Sequence, residues 1–202
     1  DGKLGPLSAT LQIAKGVLQP SDQVRPIPFT SARSYFTYLP QTQTLRFDEL
    51  SLISDWVTAR AEGRAHLRGM EAGWPSELLG QITLTSFKAN PDELYSAPIS
   101  LDGAQADFRL GLAPFDLTLG QMVIRDQGET LLLKGRLAAA ENDWDLSLDG
   151  QMTGVTRERV VALWPERLKP KTRNWVADNV QAGKLENITL GVRSTPNSRP
   201  DI

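Results

Sequence analysis

Few residues of this chain are suited to catalysis or metal binding. The sequence has one histidine, His66, and no cysteine, which excludes disulfides, thiolate catalysis and cysteine-ligated metal sites. The adjacent carboxylates Asp48-Glu49 and Asp92-Glu93 are the residue type that glycoside hydrolysis requires. Neighbouring acidic residues are nevertheless expected by chance among 24 acidic residues, and we expect both pairs to lie in turns or helices.

Three closely spaced aspartates, Asp143, Asp145 and Asp149, suggest a calcium loop as one interpretation. Apolar residues alternate with them, however, and that period is typical of a β-strand. An EF-hand loop also requires a glycine at its sixth position and a glutamate at its twelfth. We therefore expect these aspartates on the polar side of a strand and predict no metal site.

The sequence motifs of common enzyme classes do not occur. There is no Gly-x-Ser-x-Gly elbow, phosphate loop or dinucleotide fingerprint. His66 lies between Arg64 and Arg68 in an alternating segment, which predicts a solvated surface histidine. We expect no catalytic residue and no cofactor, and we predict that the protein is not an enzyme.

Charge and hydropathy also limit the partners. The 22 basic and 24 acidic residues give a net charge of −2, so no basic excess favours nucleic acid. The longest apolar runs, such as 160–164, are far shorter than the ~18 residues that a membrane helix requires. Because the chain starts at Asp1 in a strand-like pattern, we expect it to be a piece of a longer protein.

Alternation of apolar and polar residues dominates the sequence. From Val57 to Arg68 every second residue is apolar or glycine, and the residues between are polar. The same pattern recurs over 104–112, 115–119 and 144–153. A period of two with short connections predicts antiparallel strands that have one apolar and one polar face. We predict a mainly β fold with about ten strands, several longer than the usual length of about 5–6 residues.

Helix signals are confined to three places. Asn90 followed by Pro91 predicts a capped turn, and Thr156 caps a predicted helix to Leu163. A second helix is predicted from Pro170 to about 180, ended by Gly183. The segment 194–202 is expected to be a flexible tail.

The chain also repeats itself. Phe36 matches Phe108, and Trp74 matches Trp144 at nearly the same spacing. These matches predict one elongated segment, 1–193, with two copies at about 26–95 and 98–164. It would begin with 1–25 and end with a helical insert at 156–182 and a strand at 185–193. A weaker match joins Gly2-Lys3-Leu4 to 183–185. The alternative is that an antiparallel meander produces such matches by accident.

Strands with one apolar face need a cover for it, because soluble monomers rarely expose large apolar patches. A second sheet, closure into a barrel, or curling into a trough would each provide one. A trough would leave a channel for a hydrophobic ligand, whereas ordinary core packing is the alternative. The apolar residues that we expect along the trough are Phe36, Phe47, Val57, Leu67, Ile82, Leu84, Phe108, Leu110, Phe115, Leu117, Leu146 and Leu148.

One segment resembles a known family. Residues 163–176 are LWPERLKPKTRNWV, and NVQAGKL follows over 179–185. This block is similar to a signature of the AsmA-like superfamily, and within it to the YhdP type, which is related to TamB. The residues that carry the resemblance are Trp164, Pro165, Pro170, Thr172, Arg173, Trp175 and Gly183. The alternation and the Leu-x-Gly-Gln motif before this block are also similar to the repeats of that family.

The resemblance implies a function. Members are large envelope proteins of Gram-negative bacteria, with an N-terminal inner-membrane helix and a long periplasmic β-groove that carries phospholipid towards the outer membrane. We accordingly expect a taco-like groove in the periplasm, with phospholipid or another acyl-chain lipid as ligand. An outer-membrane or periplasmic protein is a further expected partner. The alternative is a structural or interaction scaffold, a β-sandwich whose apolar face is its core.

The helical insert has two interpretations as well. Its helices could line or gate the groove, or dock a partner protein. Alternatively, Trp164 and Trp175 pin the helices over one end of the sheet and cover apolar surface there, which is the interpretation that we favour.

Overall fold

The computed structural model describes residues 5–71, 73–141, 143–181 and 183–195. Its strands and helices follow one another as β1 (Leu7–Ile13), β2 (Gly16–Leu18), β3 (Ile27–Phe29), β4 (Ser31–Leu39), β5 (Thr44–Ile53), β6 (Val57–Arg68), β7 (Glu77–Ala89), β8 (Ile99–Leu101), β9 (Gly103–Leu112), β10 (Phe115–Asp126), β11 (Glu129–Ala139), β12 (Trp144–Met152), β13 (Val155–Thr156), α1 (Arg157–Leu163), α2 (Pro170–Asn179), β14 (Lys184–Leu185) and β15 (Ile188–Ser194). Two 3-10 turns, Pro40–Thr42 and Pro91–Glu93, lie in connections between strands.

Eleven strands form a single antiparallel sheet. Ten of them pair in the order β1-β4-β5-β6-β7-β9-β10-β11-β12-β15, and β8 pairs with the end of β7. The sheet is not closed, because β1 and β15 lie at opposite edges. Two-stranded sheets form between β2 and β3 and between β13 and β14. These findings confirm a mainly β fold with a long antiparallel sheet and two short helices near the C-terminus.

The strand registers place the apolar residues on one side of the sheet, which we call the apolar face. Directly paired residues in neighbouring strands point to the same side, so a chain of pairs defines a row across the sheet. Two such rows cross all ten strands: Leu7, Tyr38, Leu45, Ala65, Gly80, Phe108, Leu119, Gly135, Leu148 and Val192; and Ala9, Phe36, Phe47, Gly63, Ile82, Ala106, Met122, Leu133, Gly150 and Leu190.

A third row of the same length lies beside them: Leu11, Ser34, Leu50, Ala61, Leu84, Ala104, Ile124, Leu131, Met152 and Ile188. None of the three rows contains a charged residue. At about 4.8 Å between neighbouring strands, ten strands make a face about 43 Å long.

Ion pairs lie on the opposite side of the sheet. Arg136 contacts Asp116 at 2.6 Å and Asp145 at 3.7 Å, and Arg193 contacts Asp149 at 2.6 Å. Each of these pairs joins neighbouring strands across the polar side. Such half-exposed pairs contribute little stability individually, but they divide the sheet into a charged side and an apolar side.

The strand bounds follow the spacing of the predicted copies. Short strand β3 precedes β8 by the same interval as β4 precedes β9. In each copy, four long strands then follow in the same order, β4 to β7 and β9 to β12. The division into two copies stays a prediction, and the match of 2–4 to 183–185 lies outside the described residues on one side.

Several local predictions are wrong in detail. Asn90 does not cap the turn at Pro91–Glu93; its amide group instead exchanges two hydrogen bonds of 3.0 Å with the main chain of Tyr95. The second helix ends at Asn179, and extended Val180 follows it, so Gly183 lies beyond the helix end. The last strand begins at Ile188 rather than 185 and continues to Ser194, and residues 196–202 of the predicted tail lie outside the described part.

Candidate functional site

All twelve residues predicted to line a trough lie on the apolar face. The pairs Phe36–Phe47, Gly80–Phe108 and Leu84–Ala61 place central members of the set in the three rows above. The other eight predicted residues lie in these three rows or in neighbouring rows of the apolar face. They are Val57, Leu67, Ile82, Leu110, Phe115, Leu117, Leu146 and Leu148.

Exposure on the apolar face rises towards the edges of the sheet. Within the face, Ala65 is 0% exposed and Ile124 is 3% exposed. In the first edge strand, by contrast, Leu7 and Leu11 are just over half exposed, and Leu190 in the last strand is 41% exposed. The face therefore continues to both edges of the sheet without a cover.

A cavity of about 250 Å³ lies on this face near its first edge. Among the residues that line it are Leu11, Ile13, Ser34, Leu50, Leu52 and Ala61. The hydroxyl of Ser34 is buried and has no hydrogen-bond partner among the described residues. The cavity is thus mainly apolar, with Arg33, Ser34 and Ser51 as the polar residues of its lining, and it has room for part of an aliphatic chain.

Sequence reasoning missed about half of the face. Many of the missed residues are in the edge strands or on the far sides of bulges, where strict alternation is interrupted: Leu7, Leu11, Ile13, Leu50, Phe87, Met122, Ile124, Ile188, Leu190 and Val192. The spacing of Leu119 and Met122 shows the reason. A bulge takes up one extra residue between them, so residues three apart point to the same side.

The residues that carry the family resemblance lie in the connection between α1 and α2, within α2, and just after it. The Trp164 indole nitrogen donates to the carbonyl oxygen of Leu168 at 2.7 Å. Arg173 donates to the carbonyl oxygens of Trp164 and Val161 at 3.2 and 3.3 Å. Pro165 starts the turn, Pro170 begins α2, and Thr172 lies in its first turn. These contacts hold the two helices against each other.

The expectation that the tryptophans pin the helices over one end of the sheet is wrong for Trp175, which is 61% exposed. Trp164 is partly buried and bonds within the connection between the two helices. Gly183 has a φ of +98°, so it provides a backbone conformation that other residues rarely adopt. The exposed indole of Trp175 therefore does not hold the helices to the sheet within the described part of the chain.

Side chains other than the tryptophans attach the helices to the sheet. Arg159 of α1 forms a largely buried ion pair with Asp126 at the end of β10. The amide of Thr156 donates to Glu129 of β11 at 2.9 Å, and the Tyr95 hydroxyl donates to the carbonyl oxygen of Leu163 at 3.0 Å. Burial raises the pKa of Tyr95. The helices consequently lie beside the ends of β10 and β11.

The residues considered for catalysis or metal binding do not converge. His66 is exposed and contacts the Thr44 hydroxyl at 3.0 Å. Asp48 and Glu49 lie within β5 rather than in a turn, and Asp48 pairs with Arg46 at 3.1 Å. The side chain of Asp92 lies outside the described part. The three aspartates proposed for calcium each contact an arginine: Asp143 with Arg25, Asp145 with Arg136, and Asp149 with Arg193.

Among the described residues, no group of three or more His, Asp or Glu side chains is arranged to hold a metal ion. The described helices, of seven and ten residues, are too short to cross a bilayer.

Comparisons with known proteins leave the family open. No family model, curated protein or solved structure matches the chain.

Proposed function

We propose that the chain is a segment of a bridge-like phospholipid transport protein of the AsmA-like, YhdP type. In this proposal it provides part of a hydrophobic groove that crosses the periplasm between inner and outer membrane. The observation that carries the proposal is the apolar face itself: three uncharged rows that run across ten antiparallel strands of an open sheet.

Such a face suits acyl chains for an energetic reason. Exposing a lipid chain to water costs about 0.8 kcal/mol per CH₂ group, and this cost makes unassisted transfer through an aqueous space extremely slow. An apolar surface that continues from one edge strand to the other would remove the cost along the whole path. Since the rows offer almost no hydrogen-bonding groups, a chain could slide along them without breaking specific contacts.

The charged side of the sheet fits the same function. The ion pairs of Arg136 and Arg193 lie opposite the apolar face, so they keep that side in water while the other side holds lipid. Open edges are also consistent with continuation of the face into neighbouring segments. The unpaired backbone groups of β1 and β15 are suited to pairing with further strands.

Native mass spectrometry of the purified protein, followed by organic extraction, tests the proposal. We expect substoichiometric phospholipid to remain bound. Phe108→Glu should abolish this binding because it places a charge in the middle of a row, whereas Gln105→Glu adds the same charge on the polar side of the same strand and should leave binding unchanged.

The scaffold alternative makes the opposite prediction. If the apolar face were only a closed core, Phe108→Glu would unfold the protein and no lipid would be found in either form. Circular dichroism of the variant separates loss of ligand from loss of fold.

A further inference from the structure

A hairpin leaves the sheet between its first two strands. We call residues 14–30, which contain β2 and β3, the strap. Its two strands pair only with each other, Gly16 with Phe29 and Leu18 with Ile27. The strap starts and ends beside the pair Ile13–Ala32, at one end of β1 and β4.

The tip of the strap is attached far away, at the turn between β11 and β12. The Arg25 guanidinium Nε donates to both carboxylate oxygens of Asp143, at 2.8 and 3.1 Å. The Trp144 indole nitrogen donates to the carbonyl oxygen of Arg25 at 2.7 Å. Val24, next to Arg25, is 2% exposed. We call the contacts among Arg25, Asp143 and Trp144 the clasp.

The clasp lies on the side of the apolar face. Trp144 precedes Leu146 and Leu148 by two and four residues in β12, so its side chain points to the same side as theirs. Its ring packs edge-on against Phe115, with 5.6 Å between centroids. Six strands separate β4 from β12 in the sheet, so the strap links the first strands of the sheet to β12 on the side of the apolar face.

The first copy of the repeat lacks the clasp. Trp74 occupies the position that corresponds to Trp144, in the turn between β6 and β7, and it is 74% exposed. Gly73 stands where the second copy has Asp143, so the first copy has no carboxylate to bind an arginine. The turn between β6 and β7 thus forms without such a contact. The clasp belongs to the predicted second copy and has no counterpart at the matching residues of the first.

Apart from the clasp and the buried side chain of Val24, the strap is weakly held. Its strands are three residues long, and Val17 and Leu18 are 54% and 40% exposed. The side chain of Arg25 is 77% exposed, although its partner Asp143 is 10% exposed. Segments with few buried contacts open at low free energy. Release of the clasp would free the tip of the strap without disturbing the sheet.

We propose that the strap is a gate over the apolar face, closed by the clasp and opened to admit an acyl chain. This inference rests on the function proposed above. A closed strap restricts access from the side to the part of the face beneath it, and an open strap exposes that part to a lipid.

A disulfide in place of the clasp tests the gate. The chain has no cysteine, so Arg25→Cys with Asp143→Cys introduces one defined pair. Because the side chains of Arg25 and Asp143 meet at 2.8 Å, these are the two positions that hold the tip of the strap. Oxidation would lock the strap, and reduction would leave it without the ion pair. Uptake of the fluorescent fatty acid cis-parinaric acid reports access.

We expect uptake by the oxidised protein to be at least about tenfold slower than by the reduced protein, because the locked strap removes the open state. Arg25→Cys alone should not respond to oxidation. In a second variant set that needs no disulfide, Arg25→Met should accelerate uptake relative to the unmodified protein, and Trp74→Phe should not.

The outcomes separate the two proposals. Equal uptake by the oxidised and reduced forms, or no acceleration in Arg25→Met, would overturn the gate and leave the lipid-binding face intact. If neither form, nor the unmodified protein, takes up the probe, the proposed function itself fails and the gate fails with it.

Discussion

The indole nitrogen of Trp144 donates a hydrogen bond of 2.7 Å to the carbonyl oxygen of Arg25, a residue 119 positions earlier in the chain. This contact joins the strap at one end of the sheet to a turn at the other end. It also distinguishes Trp144 from Trp74, which has the matching position in the predicted first copy and is 74% exposed.

The first prediction concerns this difference. Trp144→Phe keeps an aromatic ring against Phe115 but removes the donor to Arg25, so we expect the free energy of unfolding to fall by about 1 kcal/mol. The same change at Trp74 should have almost no effect, because that side chain is exposed. Urea unfolding followed by circular dichroism measures both values. Equal effects of the two substitutions would show that the contact with Arg25 does not stabilise the protein.

A second prediction concerns the attachment of α1. Arg159 and Asp126 form an ion pair whose side chains are 13% and 11% exposed. Arg159→Met should lower the free energy of unfolding by about 3 kcal/mol, because it leaves the Asp126 carboxylate without its partner in a largely buried site.

The double variant Arg159→Met with Asp126→Leu provides the control for this second prediction. Removal of both charges should restore much of the stability lost in the single variant. A double variant that is no more stable than Arg159→Met alone would contradict the interpretation that an unpaired buried charge causes the loss.

A third prediction concerns pH. The hydrogen bond from Arg136 holds the pKa of Asp116 below its ordinary value. The folded state therefore gains stability from the ionised carboxylate at neutral pH and loses it as the pH falls through the lowered pKa. Both side chains are partly exposed, so the gain is below about 1 kcal/mol.

Asp116→Asn isolates that contribution. We expect the variant to be less stable than the unmodified protein at pH 7, and the difference to shrink as the pH falls through the lowered pKa of Asp116 and the folded carboxylate becomes protonated. Thermal unfolding at a series of pH values gives the comparison. A stability difference that persists at the acidic end would have another cause.

The strands were largely predictable because each has a local signal. The alternation from Val57 to Arg68 gives the bounds of β6, and Thr156 caps α1 as predicted, with the Arg159 amide donating to its hydroxyl at 3.4 Å. Part of the apolar face could not be predicted, because bulges interrupt the alternation of apolar and polar residues. Between Phe47 and Leu50, for example, the apolar residues are three apart yet point to the same side.

The clasp could not be predicted from the sequence. In the sequence, Asp143 is one of three aspartates with the spacing of a strand. No local pattern predicts that it pairs with an arginine 118 positions away. Such a pair depends on how the sheet brings two distant connections together, and hydrophobic periodicity does not contain that information. The same holds for Asn90, whose side chain bonds to Tyr95 instead of capping the turn that follows it.

The most direct test of the central claim compares two neighbouring residues on opposite sides of β9. Phe108 pairs with Leu119 on the apolar face, and Arg109 pairs with Thr118 on the polar side. A photoreactive benzoylphenylalanine would replace each in turn, in protein expressed in Gram-negative bacteria. After irradiation, mass spectrometry would detect attached phospholipid. We predict lipid adducts at position 108 and none at position 109. Adducts at neither position, or equal adducts at both, would contradict a lipid-binding apolar face.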